Sequence, residues 1–442
     1  MRSKRLSAVS TAALLCLGLA APAAFAQNLR ELYEAARAFD ATYLAARAQA
    51  QSAEFKALQA DALGLPSAAL GATATGSNID PANAPAGDAN TATATLSGRY
   101  PLFNRANDAQ RAQASKSLDA AKAELEAAEQ DLIVRLAQAY FDVLGAQDNL
   151  ATSGASKAAT AEQLASAKRN FEVGTATITD TREAQAKYDL ELAREIAADN
   201  DLRAKRIALD TLVGRTGVAP KPLLVPVVLP PVLPADPEVW VGIGDAQHPT
   251  IRRAQAALEI ATLEITRARA AEAPTLDAVA SVGLAKYAGR YPQGTPGTPT
   301  RTASLGLQFN LPLYTGGATG NRISETLSLE EKARNDLAAA RRGVGQGTRV
   351  AYFGVQSGIA QVKALEAAES STKLALEATQ LGYRVGVRVN LDVLNAQTLL
   401  FQTQRDLAKA RYDVLVNSLR LQQASGQLDT SDVDAVNALL AK

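Results

Sequence analysis

The chain has 442 residues with one cysteine and one histidine, and its 46 Lys+Arg against 45 Asp+Glu leave a formal net charge of +1. That balance argues against a nucleic-acid partner, and a lone thiol and a lone imidazole cannot build a disulfide framework, a metal cluster or a His-based catalytic dyad. Aromatics make up only 5% while alanine is abundant and charge is spread evenly, a composition of long helices packed side by side.

Arg2, Lys4 and Arg5 precede an apolar run from Ala12 to Ala21 and then Ala24-Phe25-Ala26, which predicts a secretory signal over 1–26. The mature chain is expected to begin near Gln27, outside the cytoplasm. Cys16 lies in this leader, and Leu15 before it lacks the small side chain of a lipoprotein-processing site, so neither a thiol nor a lipid anchor is expected downstream. No later run of about 20 apolar residues offers a membrane-spanning helix.

A first repeat is expected over 27–214. Helical patterning fills 29–65, broken near Asp40 and stopped by Gly64-Leu65-Pro66. Over 66–76 and 90–102 the pattern changes to period two, with Ala68, Leu70, Ala72 on one face against Ser67, Gly71, Thr73 on the other, the mark of transmembrane β-strands. A long helix then spans 103–173, a rod of roughly 110 Å at about 1.5 Å per residue. Leu118, Leu125 and Leu132 recur every seven residues, and after one stutter so do Leu136, Val143 and Leu150, which predicts a coiled-coil seam. The rod turns at Val173-Gly174 and a return helix runs over 179–213. Gly174 suits a left-handed C′ position, and Thr177-x-x-Asp180 has capping-box spacing.

Prolines at 220, 222, 226, 230, 231, 234 and 237 make 215–240 an extended equatorial linker without helix. The first half then recurs over 241–426: Thr42 to Pro66 aligns on Thr250 to Pro274, Pro101-Leu102-Phe103 on Pro312-Leu313-Tyr314, and Ala139-Tyr140-Phe141 on Ala351-Tyr352-Phe353. Its elements are a helix at 249–273, strands at 275–287 and 300–311, a long helix at 315–385 and a return helix at 390–425. The second reversal is Val385-Gly386, where Asn390 is the expected cap and Asp392 an uncommitted acid. A C-terminal equatorial segment covers 427–442. Tyr100, Phe103, Phe309 and Tyr314 stand where strands meet helices, as an interfacial aromatic belt does. Gly343, Gly345 and Gly347 interrupt the second long helix with no phosphate-loop context, so close helix packing or local loosening is expected there. His248 and Trp240 read as structural residues.

Four strands per chain, of about 10 residues each, cannot close a barrel, and open edges in hydrocarbon leave backbone groups unpaired. Three copies supply 12 strands and 12 helical columns of matching height, which predicts a mixed α/β trimer: a 12-stranded transmembrane β-barrel continuous with a long periplasmic α-helical barrel. The leader, the duplicated plan, Tyr-Pro-Leu-Phe and Leu-Pro-Leu-Tyr at the strand-to-helix joints, and the paired Val-Gly…Asp reversals resemble the TolC family of outer-membrane export channels. The resemblance implies a homotrimer in outer-membrane lipid that docks with a periplasmic adaptor (membrane fusion) protein and an inner-membrane transporter of ABC or RND type. It would serve as the exit duct of a tripartite efflux pump or type I secretion system, without cofactor or chemistry. The same resemblance assigns the periplasmic gate to Asp392 and Asn395, a tip latch to Thr179, Asp180, Tyr383 and Arg388, and adaptor docking to the turns at Val173, Gly174, Val385 and Gly386. Asn395 departs from the family's aspartate pair, which leaves one acidic ring. The competing reading is a periplasmic coiled-coil adaptor or structural protein without a pore, which would need neither strand pairs nor a twofold repeat.

Overall fold

A computed structural model describes residues 27–441 apart from 225 and 228, so the expected signal at 1–26 lies outside the described residues. The first repeat opens with α1 (Leu29–Phe39) and α2 (Ala41–Asp61), separated at Asp40. The Asp40 carboxylate caps α2 by accepting from the Tyr43 amide at 2.8 Å and also accepts two bonds from the Arg135 guanidinium, each 3.1 Å. Those guanidinium bonds hold its carboxyl below the usual range although it is nearly buried.

Strands β1 (Ser67–Ile79) and β2 (Gly87–Phe103) follow, then α3 (Arg105–Glu172, 68 residues) and α4 (Ile178–Val213, 36 residues). The second repeat runs α5 (Pro237–Gln247), α6 (Pro249–Ala270), β3 (Thr275–Gly289), β4 (Thr300–Asn310), α7 (Ala318–Arg384, 67 residues), α8 (Asn390–Ala424, 35 residues) and α9 (Thr430–Asn437). The four strands form one antiparallel sheet in the order β1-β2-β3-β4, leaving β1 and β4 as open edges. Strands extend past their sequence-derived ends because ladder pairs such as Ile79↔Gly87 and Ala89↔Gly289 continue through polar residues where alternation has faded.

One expectation requires correction. Helix α5 sits at the end of the proline-rich linker: Pro237 occupies its first turn, where no amide bond is lost, and Asp236 caps it by accepting from the Glu238 amide. Within the C-terminal segment lies α9, started by Asp429, whose side chain accepts from the Ser431 amide.

Helix α5 bears on one glycine of the run, Gly345. It packs on α7 so closely that a Cβ at Gly345 would meet Val241 at 3.5 Å, and one at Gly244 would meet Val344 at 3.3 Å. Helix α7 is continuous through Gly343, Gly345 and Gly347; close packing applies at Gly345, whereas Gly343 and Gly347 face open space. His248 caps α6, its Nδ1 accepting from the Thr250 amide at 3.1 Å.

The main core lies at mid-rod, where Tyr140, Phe141, Leu136 and Leu144 of α3 meet Leu209 of α4, Leu415 and Leu419 of α8 and Leu32 and Tyr33 of α1. Full burial of such a side chain stabilises by about 1.5–3 kcal/mol. The two aligned Tyr-Phe pairs have the same edge-to-face geometry, each with ring centroids 5.5 Å apart. Each tyrosine also pins the linker: Tyr140 donates to the Lys221 carbonyl at 2.9 Å and Tyr352 to the Ala235 carbonyl.

Glu264 of α6 ties three helices together through Arg267, Gln113 of α3 and Arg322 of α7. Bonding to Arg267, then to Gln113 and Arg322, lowers its carboxyl from 4.5 to about 2. A carboxyl depressed on folding contributes stability above its unfolded value and loses it as pH falls through the folded one. Glu264→Gln should therefore lower the unfolding free energy at neutral pH by up to about 3 kcal/mol, read from thermal unfolding, with the gap to wild type closing between pH 4.5 and pH 2.

Candidate functional site

Both long helices end in the same backbone motif. At the first reversal the Thr175 amide donates to the Asn170 carbonyl at 2.8 Å and the Gly174 amide to the Phe171 carbonyl at 3.0 Å. At the second, the Val387 amide donates to the Gly382 carbonyl at 2.9 Å and the Gly386 amide to the Tyr383 carbonyl at 3.0 Å. These are Schellman caps, and they place Gly174 at φ 76° and Gly386 at φ 79°, where a side chain is strained. The capped turns expose Val173 at 73%, Val385 at 64% and Val387 at 78%, an apolar surface at the end of the rods.

The return helices start differently. Thr177 closes a complete capping box on α4: its hydroxyl accepts from the Asp180 amide at 3.2 Å, and the Asp180 carboxylate accepts from the Thr177 amide at 2.9 Å and hydroxyl at 2.8 Å. The second start does not follow expectation. Val389, which has no polar side chain, holds the cap position, and Asn390 lies inside the first turn. Asn390 is 3% exposed and neither its Oδ1 nor its Nδ2 has a partner. Asp392 is therefore not uncommitted. It accepts a long 3.4 Å bond from the Val389 amide, half of a capping box, and lies 3.7 Å from Arg388. Asn395 stands exposed one turn farther along α8, on the same side as Asp392.

Within one chain, the four residues assigned to the latch are not brought together. The Tyr383 hydroxyl accepts from Asn170 Nδ2 at 3.1 Å, joining the ends of α7 and α3. Arg388 pairs with Asp392 on its own chain, an exposed contact worth about 0–1 kcal/mol. Among the described residues of this chain, Thr179 is exposed and Asp180 bonds only to Thr177.

Two residues at the reversals escaped sequence reasoning. Asn170 supplies both the carbonyl that closes the first cap and the amide that holds Tyr383. Gly382 is its counterpart in the second repeat, and a Cβ there would lie 2.8 Å from Arg388 Cγ. Its lack of a side chain makes room for the arginine stem. The equivalence of Asn170 and Gly382 in the repeat alignment was the available signal, but neither is part of a recognised motif.

Comparison with known proteins agrees with this geometry. Residues 32–215 and 245–427 match the family described as Outer membrane efflux protein, one match in each repeat. The chain is 32% identical over 422 residues to the outer membrane protein TolC of Vibrio cholerae, covering 96% of each. It is 33% identical to the alkaline protease secretion protein AprF of Pseudomonas aeruginosa, over 70% of this chain and 64% of that one. The crystal structure of the outer membrane protein VceC from Vibrio cholerae has the same fold, with a TM-score of 0.77 at 22% identity over 90% of this chain and 96% of that one.

Replacing Thr177 by Val removes the box at α4, a loss of about 1 kcal/mol. Amide exchange in residues 178–181 should accelerate roughly fivefold with exchange at mid-rod unchanged, measured by hydrogen–deuterium exchange. The chain belongs to the outer membrane efflux protein family, the family of the TolC channels.

Proposed function

We propose that the protein is an outer-membrane channel-tunnel, the exit duct through which a tripartite efflux pump or a type I secretion system releases its cargo. The observation that carries this reading is the sheet: four strands with both edges open, an apolar face of Leu70, Leu96, Val282, Leu305 and Leu307 turned to solvent, and direct continuity into rods of about 100 Å. No helix among the described residues is long and apolar enough to cross a membrane, so the strands are the part suited to lipid.

Three copies joined edge to edge supply 12 strands and leave no open edge. The aromatic residues Tyr100, Phe103, Phe309 and Tyr314 are all exposed at the helical end of the sheet, where a periplasmic lipid interface would take them. The rods then reach across the periplasm, and their capped apolar turns offer an adaptor protein its seat, which couples the duct to an inner-membrane transporter of ABC or RND type. Relatives named for protease secretion and for efflux are consistent with both uses.

Asp392 is the gate acid in this reading, three carboxylates per trimer near the axis, with uncharged Asn395 beside it. The latch acts between chains: Arg388 of one protomer exchanges its weak tie to Asp392 for the Asp180 carboxylate of the next, while Tyr383 and Asn170 keep α7 against α3.

The assembly is tested by fractionation: heat-modifiable trimers in the outer membrane are expected, whereas a soluble periplasmic monomer would instead favour an adaptor. In single-channel recordings, Asn395→Asp should strengthen divalent-cation block several-fold by adding a second acidic ring. Arg388→Ala should raise resting conductance, and an unchanged closed level would remove Arg388 from the latch.

A further inference from the structure

The two faces of the sheet differ in chemistry. In β2 and β3, which have neighbours on both sides, Thr91, Thr93, Thr95, Ser281 and Gly283 are half-buried, while Ala94, Leu96, Val282 and Leu284 are exposed. A barrel closed from this sheet turns its leucine-rich face to lipid, so the hydroxyl-rich face is the inner wall. Among the described residues, only two charged side chains rise from it. They are Arg99 of β2 and Asp277 of β3, both at the helical end; Lys286 and Arg301 belong to the opposite set, in ladder register with Ala92 and Leu284.

Register pairs Arg99 with Val279 and Asp277 with Pro101, so the two are diagonal neighbours. Arg99 Nη2 donates to Asp277 Oδ2 at 2.6 Å. Their exposure is unequal: the carboxylate side chain is 3% accessible and the guanidinium side chain 60%. Asp277 Oδ1 is buried without a partner. The acid thus fixes the arginine from behind, and the positive group is the one presented to the lumen. Beside it runs a groove of about 280 Å³ floored by Ser97, Ser281, Ser304 and Ala69, which offers no competing charge.

We propose that Arg99 is an ion-selecting residue of the inner wall. Three guanidinium groups, one per chain and each backed by a buried Asp277 carboxylate, form a ring of ion pairs with the positive end inward at the base of the barrel, which favours anions and the carboxylate or sulfate groups of exported solutes. The proposal rests on the trimeric channel reading and places a selectivity element of opposite sign far from the acidic tip.

The test is the reversal potential of the purified protein in planar bilayers under a KCl gradient, with inorganic chloride as the anion. Arg99→Ser should shift the anion-to-cation permeability ratio toward cations about twofold at 0.1 M salt, and less at 1 M, where charges are screened within about 3 Å. Arg99→Lys should keep the wild-type ratio, since it keeps the charge. Equal ratios for wild type and Arg99→Ser, both conducting, overturn the proposal, as does an equal shift in Arg99→Ser and Arg99→Lys. A wild-type protein that forms no conducting channel would instead overturn the channel reading itself.

Discussion

A sheet with two unpaired edges and a greasy outer face is the constraint on which this architecture depends. In hydrocarbon, each unpaired backbone amide or carbonyl costs several kcal/mol, so strands must find partners on both sides. Within the chain β2 and β3 satisfy that requirement by pairing across the two repeats, and β1 and β4 are left as open edges. Duplication and edge pairing are thus linked: the first strand pair meets the second through the β2–β3 ladder, and the long helices beneath inherit their spacing from it. Contact of α3 with α6 and α8 of the other repeat follows from the same juxtaposition.

The repeats share a plan and differ in how they use it. In the first, Asp40 caps α2 and holds Arg135; in the second, His248 takes the cap, and Gly347 stands in the place of Arg135. Helix α5 packs on α7 at Gly345, whereas Gly347 itself faces open space. Tyrosine anchoring of the linker, by contrast, is the same in both halves. The tips show a similar split: identical Schellman caps end the outgoing rods, while one return helix starts on a satisfied capping box and the other on a buried, unpartnered asparagine.

Much of the fold was legible because its signals are local and repeated. Leu132, then Leu136 and Val143 beyond the stutter, mark the seam, and all three are buried. Gly174 and Gly386 announce left-handed turns by residue type alone. Helix α5 was obscured by prolines, since Pro237 is harmless only at a first turn, and the position of that turn is set by Asp236 and by contact with α7. The Asn390 cap failed for a related reason. Asparagine favours a cap position, but the second reversal is one residue out of step with that preference because the Gly386 turn and the Val389 backbone already fix the helix start.

By itself, the sequence determined the number and order of the main elements, the duplication, the turn positions and the two faces of each strand. All of these are written in residue type and period along a single stretch of chain. Only the tertiary structure decided which strand pairs with which, that α5 fills the notch above Gly345, that Tyr383 is held by Asn170, and that Asp277 is buried while Arg99 is not. Those outcomes depend on residues brought together from distant parts of the chain, where the free energy of burial and pairing is settled by neighbours that no local pattern names.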